Sequence, residues 1–261
     1  MCAPPALRAP RRGSPVRFME NVMSQTGKAP LPPGATGGGF LARLAPNVIG
    51  FFSSGAIMVL EIIAGRLVSP SVGSSQYTWT SIIGVILAGM SIGNWLGGRL
   101  ADRYPPIRTV WILFLVSTVL ILLTMPLSWY ALPPLKTMLI PYVIDNPGGE
   151  SRKWGLSVLL MMTVVWIWPA IALGLTSPVL AKMALDANPS SGRAVGNFYT
   201  WGAVGMILGT FATGYQFQSF LSVEAIILLV AATMALLGVL TGLPVWLGKA
   251  GAPPASGEVA K

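Results

Sequence analysis

Histidine is absent from the 261-residue chain, and cysteine occurs once, at Cys2. The lack of histidine excludes a Ser-His-Asp triad, His-ligated zinc or haem, and a histidine proton relay. A single cysteine excludes an intrachain disulfide and an iron–sulfur cluster. Cys2 follows no apolar signal region, so it does not read as a lipoprotein anchor. Charge is scarce as well: 10% of residues are charged, against about 25% in a soluble domain. So few charges cannot wet a globular surface, which excludes a soluble single-domain enzyme. No Gly-x-Gly-x-x-Gly segment is present for a nucleoside cofactor. Gly242 to Gly248-Lys249 mimics a phosphate loop, but the spacing is one residue too long and Ala250 replaces Ser or Thr. The expectation is a chain with no cofactor and no metal, which does not catalyse a reaction by itself.

What is abundant is apolar. Hydrophobic residues make up 53% of the sequence, and mean hydropathy is +0.68. Six apolar runs lie near 46–69, 77–97, 109–131, 155–180, 198–218 and 222–243. Each approaches the ~20 residues that cross a hydrocarbon core about 30 Å thick. The reading is an all-α, polytopic bundle of six transmembrane helices over 45–243. Trp111, Trp129, Tyr130 and Trp154 sit near run ends, where amphipathic rings favour the membrane interface.

The flanks differ in composition. Residues 1–44 are rich in Pro, Gly, Ala and Arg and carry Arg8, Arg11, Arg12, Arg17, Lys28 and Arg43 against Glu20. Such a segment cannot bury a core and is expected to be a disordered basic tail. Residues 244–261 are expected to be a short second tail rather than a further domain. The net charge of +9 points to membrane orientation and anionic lipid rather than to nucleic acid, since no basic patch interleaved with aromatics occurs. With the N-terminus inside, Arg99, Arg103, Arg108, Lys182, Arg193, Lys249 and Lys261 fall inside with the tail. Only Lys136, Arg152 and Lys153 fall outside. That bias predicts cytoplasmic termini and one sizeable outer loop, 132–153, in which Leu135 to Ile144 forms a short interfacial helix.

Glycine spacing singles out two runs. Gly89, Gly93 and Gly97 recur every four residues in the second, and Gly205 and Gly209 in the fifth. Four-residue spacing puts small residues on one helix face, where a neighbouring backbone can approach. These two runs are the middle members of two triplets that start on opposite sides of the membrane. That is the layout of an inverted three-plus-three repeat. The amount of close-approach surface also suggests a partner, either a second copy or a larger assembly.

Glu61 is the one acid deep inside a run. It reads either as an interhelix hydrogen-bonded lock or as a proton or cation site. Arg66 lies five residues on, about 140° around the helix, which makes a poor intrahelical pair. It is expected to snorkel outward or reach another helix, with Gln76, Tyr77, Tyr215 and Gln216 near in depth.

The loop Gly98-Arg99-Leu100-Ala101-Asp102-Arg103-Tyr104-Pro105-Pro106-Ile107-Arg108 resembles the cytoplasmic signature of major facilitator proteins. Gly98, Asp102 and Arg103 match it. Pro105 and Pro106 replace a glycine and a basic residue. In that family the aspartate locks neighbouring helix ends, a role the resemblance implies for Asp102. A longer ordered set resembles the membrane domain fused ahead of spermidine-synthase-like domains in bacteria. It comprises Ser54-Gly55-Ala56, Glu61 to Leu67, Gly73 to Tyr77, Gly97 to Arg103, Ser177 to Leu180, Gly196 to Tyr199 and Gly209 to Tyr215. The resemblance implies a multi-pass protein of the bacterial inner membrane. The aminopropyltransferase part has no counterpart here, so no catalytic residues carry over. Two functions follow as expectations. One is a non-catalytic membrane subunit working with a partner, soluble on the cytoplasmic side or membrane-bound. The other is a dimeric transporter of a small cation or polyamine.

Overall fold

The structure is a computed structural model that describes residues 40–144, 150–187 and 191–246. Among these residues there is no strand. Helices α1 (Phe40–Val72), α2 (Gln76–Arg103), α3 (Pro106–Tyr130), α4 (Leu132–Ile144), α5 (Glu150–Asp186), α6 (Ser191–Phe211) and α7 (Val223–Trp246) follow one another with short connections. Helix α6 continues through a π-helical segment, Ala212–Phe217, and a last turn, Gln218–Phe220. The N-terminal tail up to residue 39 and the C-terminal tail from 247 lie outside the described residues. Residues 40–44, read from sequence as tail, belong to α1.

Five helices are long and apolar enough to cross a membrane: Leu44–Val72, Gln76–Arg103, Pro106–Tyr130, Lys153–Asp186 and Val223–Leu243. Helix α6, which covers most of the fifth apolar run, is not among them. It opens on Ser191-Gly192-Arg193, carries Asn197 and is rich in glycine, all of which lower its hydropathy. Helix α4 has 13 residues, about 20 Å of rise, so it is a turn-back element and not a crossing. It starts three residues earlier than the expected Leu135.

Local chemistry sets the helix ends. Gly73 takes φ +80, the left-handed conformation that closes α1, and its N–H donates to Ser69 O at 2.8 Å. Ser75 then caps α2 by accepting from Thr78 N at 3.3 Å. Pro105-Pro106 starts α3, where a missing N–H costs nothing. Prolines inside α1, α3 and α5 are tolerated in membrane helices because neighbours re-satisfy the freed carbonyls.

Packing follows a pattern. Helix α2 lies chiefly against α5, α6 against α1, and α3 against α7; α5 also meets α3, and α7 meets α1. The core between them is built from Ile63, Ile82, Phe114, Met161, Trp166, Ile227 and Met234, all nearly inaccessible. The outward sides of α2, α3, α5, α6 and α7 carry exposed Leu, Ile, Val and aromatic residues along their length. That apolar surface suits lipid.

Candidate functional site: glycine crossings and their polar ends

The glycine ladder of α2 faces α5. A Cβ on Gly89 would lie 2.6 Å from Ala170 Cβ, one on Gly93 would lie 2.8 Å from Gly174 Cα, and one on Gly97 would lie 2.6 Å from Leu175 O. The glycines of α6 face α1 in the same manner. A Cβ on Gly209 would lie 2.5 Å from Gly55 O, and Gly205 sits directly on the Phe51 carbonyl. Contacts advance together along both chains, from Gly89 with Ala170 to Gly97 with Pro178, and from Gly205 with Phe51 to Gly209 with Gly55. Each crossing is therefore a parallel helix pair. Both glycine faces are consumed inside the chain. The close approach that these glycines provide is intramolecular, between helices of the one chain. Gly55 and Gly174 are the opposing small residues, which the glycine ladders alone do not point to. The four-residue spacing of Ala170 and Gly174 was the available signal.

One end of the α2–α5 crossing is polar. Lys182 Nζ donates to Ala101 O at 2.6 Å and lies 3.6 Å from Asp102 Oδ1. Ala101 is in the last turn of α2, whose carbonyls have no intrahelical donor and carry the negative end of the helix dipole. An ammonium is the natural cap. The Asp102 side chain is 86% exposed, so its ion pair adds little beside that bond. Gly98 has nothing within 4 Å of an added Cβ, and Arg103 is exposed in the last turn of α2. Of the three signature residues, only Asp102 meets the contact, through Lys182, which charge counting alone had noted. Arg99 stacks on Trp95, 3.6 Å from the ring centre.

The α1–α6 crossing has a matching polar end. Arg66 is exposed and its Nη1 donates to Gln218 O at 3.4 Å. Arg66 thus reaches another helix, though through a backbone carbonyl beyond Tyr215 and Gln216. Gln76 and Tyr77 instead line an open cleft between α2 and α5. Glu61 is half-buried in α1, and no hydrogen bond or ion pair joins it to the described residues. Of the two roles read for it from sequence, the interhelix lock therefore has no partner among them. No cluster of metal-ligating side chains occurs among the described residues.

Comparison with known protein families, curated proteins and solved structures finds no match. The geometry therefore carries the functional reading.

Proposed function

We propose that the chain is a six-span membrane subunit built as an inverted three-plus-three repeat, which works with a separate partner and does not catalyse a reaction itself. The observation that carries this reading is the correspondence of the two glycine crossings. Exchanging the triplets α1, α2, α3 and α5, α6, α7 turns the α2–α5 contact into the α6–α1 contact and maps α3–α7 onto itself. Parallel pairing of α2 with α5 requires a net reversal at α3 only, as expected if α4 does not cross. Helix α6 with its continuation spans 191–220, about 45 Å of rise, and runs beside α1 from Phe198 to Gln218. This supports a sixth crossing despite its lower hydropathy. The ordered resemblance to the membrane domain of spermidine-synthase-like proteins supports a bacterial inner-membrane location with both termini cytoplasmic. The basic inner ends, with Arg99, Arg103, Arg108 and Lys182, suit an acidic soluble partner.

Purification from the native membrane in mild detergent, followed by mass measurement, tests the reading. A co-purifying protein or a stable homodimer is the expected result; a lone protomer overturns it. One observation favours a second reading, transport of a small cation: a carboxylate at Glu61, deep in α1, with no partner among the described residues. Polyamine flux into liposomes holding the purified chain would support transport, and Glu61→Gln would then abolish it.

A further inference from the structure

Two polar contacts outside the repeat argument join corresponding helix pairs in it, though not at the same register. Lys182 on α5 reaches the last-turn carbonyl of α2, and Arg66 on α1 reaches the last-turn carbonyl of α6. In each case a cation follows a glycine crossing and caps the C-terminal end of the helix packed against it. Gly97 meets Pro178, and Ala101 meets Lys182 one turn on. Gly209 meets Gly55, and Gln218 meets Arg66 about three turns on. The two contacts fall at opposite ends of the bundle, because the two parallel pairs run in opposite directions.

They are not equally tight. Lys182 bonds at 2.6 Å and has Asp102 beside it. Arg66 bonds at 3.4 Å, and no acid among the described residues pairs with it. The segment leading to Gln218 is π-helical, a local widening of the helix that marks functional sites more often than ordinary turns do. Beside it lies a cavity of about 280 Å³, lined by Gly55, Gly209, Ala212 and Phe217 among others. The open cleft of the α2–α5 pair, about 740 Å³, lies at the other end of those helices, beside Gln76, Tyr77 and Gly155 and away from Lys182. The end of α6 has room to move.

We propose that Arg66 and Lys182 form a pair of helix-end latches, and that the Arg66 latch is the one that opens, freeing 212–220 to swing about the π-helical segment while Lys182 keeps the other end closed. The equivalence of the latches rests on the inverted-repeat reading; the two contacts and their asymmetry do not.

Hydrogen exchange on the full chain in detergent, followed by mass spectrometry over 212–220 and 97–104, tests this. The wild-type chain should exchange faster at 212–220. Arg66→Met should quicken 212–220 by about tenfold and leave 97–104 unchanged. Lys182→Met should do the reverse, and Arg66→Lys should restore slow exchange at 212–220. Arg66→Gln serves the same comparison if the methionine variant does not assemble. Unchanged exchange at 212–220 in the Arg66 variants overturns the proposal. So does equal quickening of both segments by either variant, or slower wild-type exchange at 212–220 than at 97–104. Failure of the inverted topology would appear instead in sidedness labelling and would leave the exchange comparison intact.

Discussion

A single added methyl separates the glycines that hold the bundle from those that do not. Gly93 has Gly174 Cα 2.8 Å from where its Cβ would stand, so backbone on both sides must move to admit one. Gly93→Ala is expected to cost about 1–3 kcal/mol, the range for overpacking. Gly98, one turn beyond, has nothing within 4 Å; Gly98→Ala is expected to gain about 0.5–1 kcal/mol through helix propensity. Thermal unfolding in detergent reads both, and similar shifts for the two would mean the α2–α5 contact is looser than described. Glu61 calls for a different expectation. With no hydrogen bond to lose among the described residues, Glu61→Leu should leave stability unchanged or raise it. A loss above about 1 kcal/mol would reveal an interhelix bond and restore the lock reading of that acid.

At the scale of elements, long apolar runs were legible because membrane crossing demands length and hydropathy over many residues. Five of the six runs correspond to helices that satisfy both. The remaining one, the fifth, through Ser191–Phe211, was legible as a run only from 198, because its polar first turns are helical without being apolar. The glycine ladders were legible as faces, but not the helices they meet. Spacing reports which side of a helix is small and says nothing of what lies across from it, so Gly174 and Gly55 stayed hidden. Lys182 stayed hidden for the same reason: its partner is a backbone carbonyl, which has no signature in sequence. The π-helical segment within Ala212–Phe217 leaves no compositional trace either. The physics of the α1–α2 turn is local. Gly73 at φ +80 admits no side chain without strain, so Gly73→Ala should cost about 1–2 kcal/mol. Gly84→Ala, a helical site with free space around it, should not. A comparison of their melting temperatures decides this, and an unaffected Gly73 variant would mean that the turn readjusts freely.

For the molecule as a whole, the direction of each helix is the decisive quantity. Parallel contact of α2 with α5 and of α1 with α6 sets their relative directions without reference to a membrane. The distribution of lysine and arginine adds the absolute sense, because basic residues resist translocation. Together they put the α1–α2 turn outside and the end of α5 inside. Ser74 and Asp186 are exposed at those two places, and Cys2, the one native cysteine, can be removed. In a Cys2→Ser background, a cysteine at Ser74 should react with an impermeant maleimide added to intact cells. A cysteine at Asp186 should react only after the membrane is opened. If α6 were not a crossing, these two sites would still label from opposite sides, so a third site is needed. Leu221, exposed between the end of α6 and α7, supplies it. A cysteine there should label from outside with Ser74 if α6 crosses, and from inside with Asp186 if it does not. Labelling at Leu221 from the inside would remove the sixth span and, with it, the equivalence of the two glycine crossings.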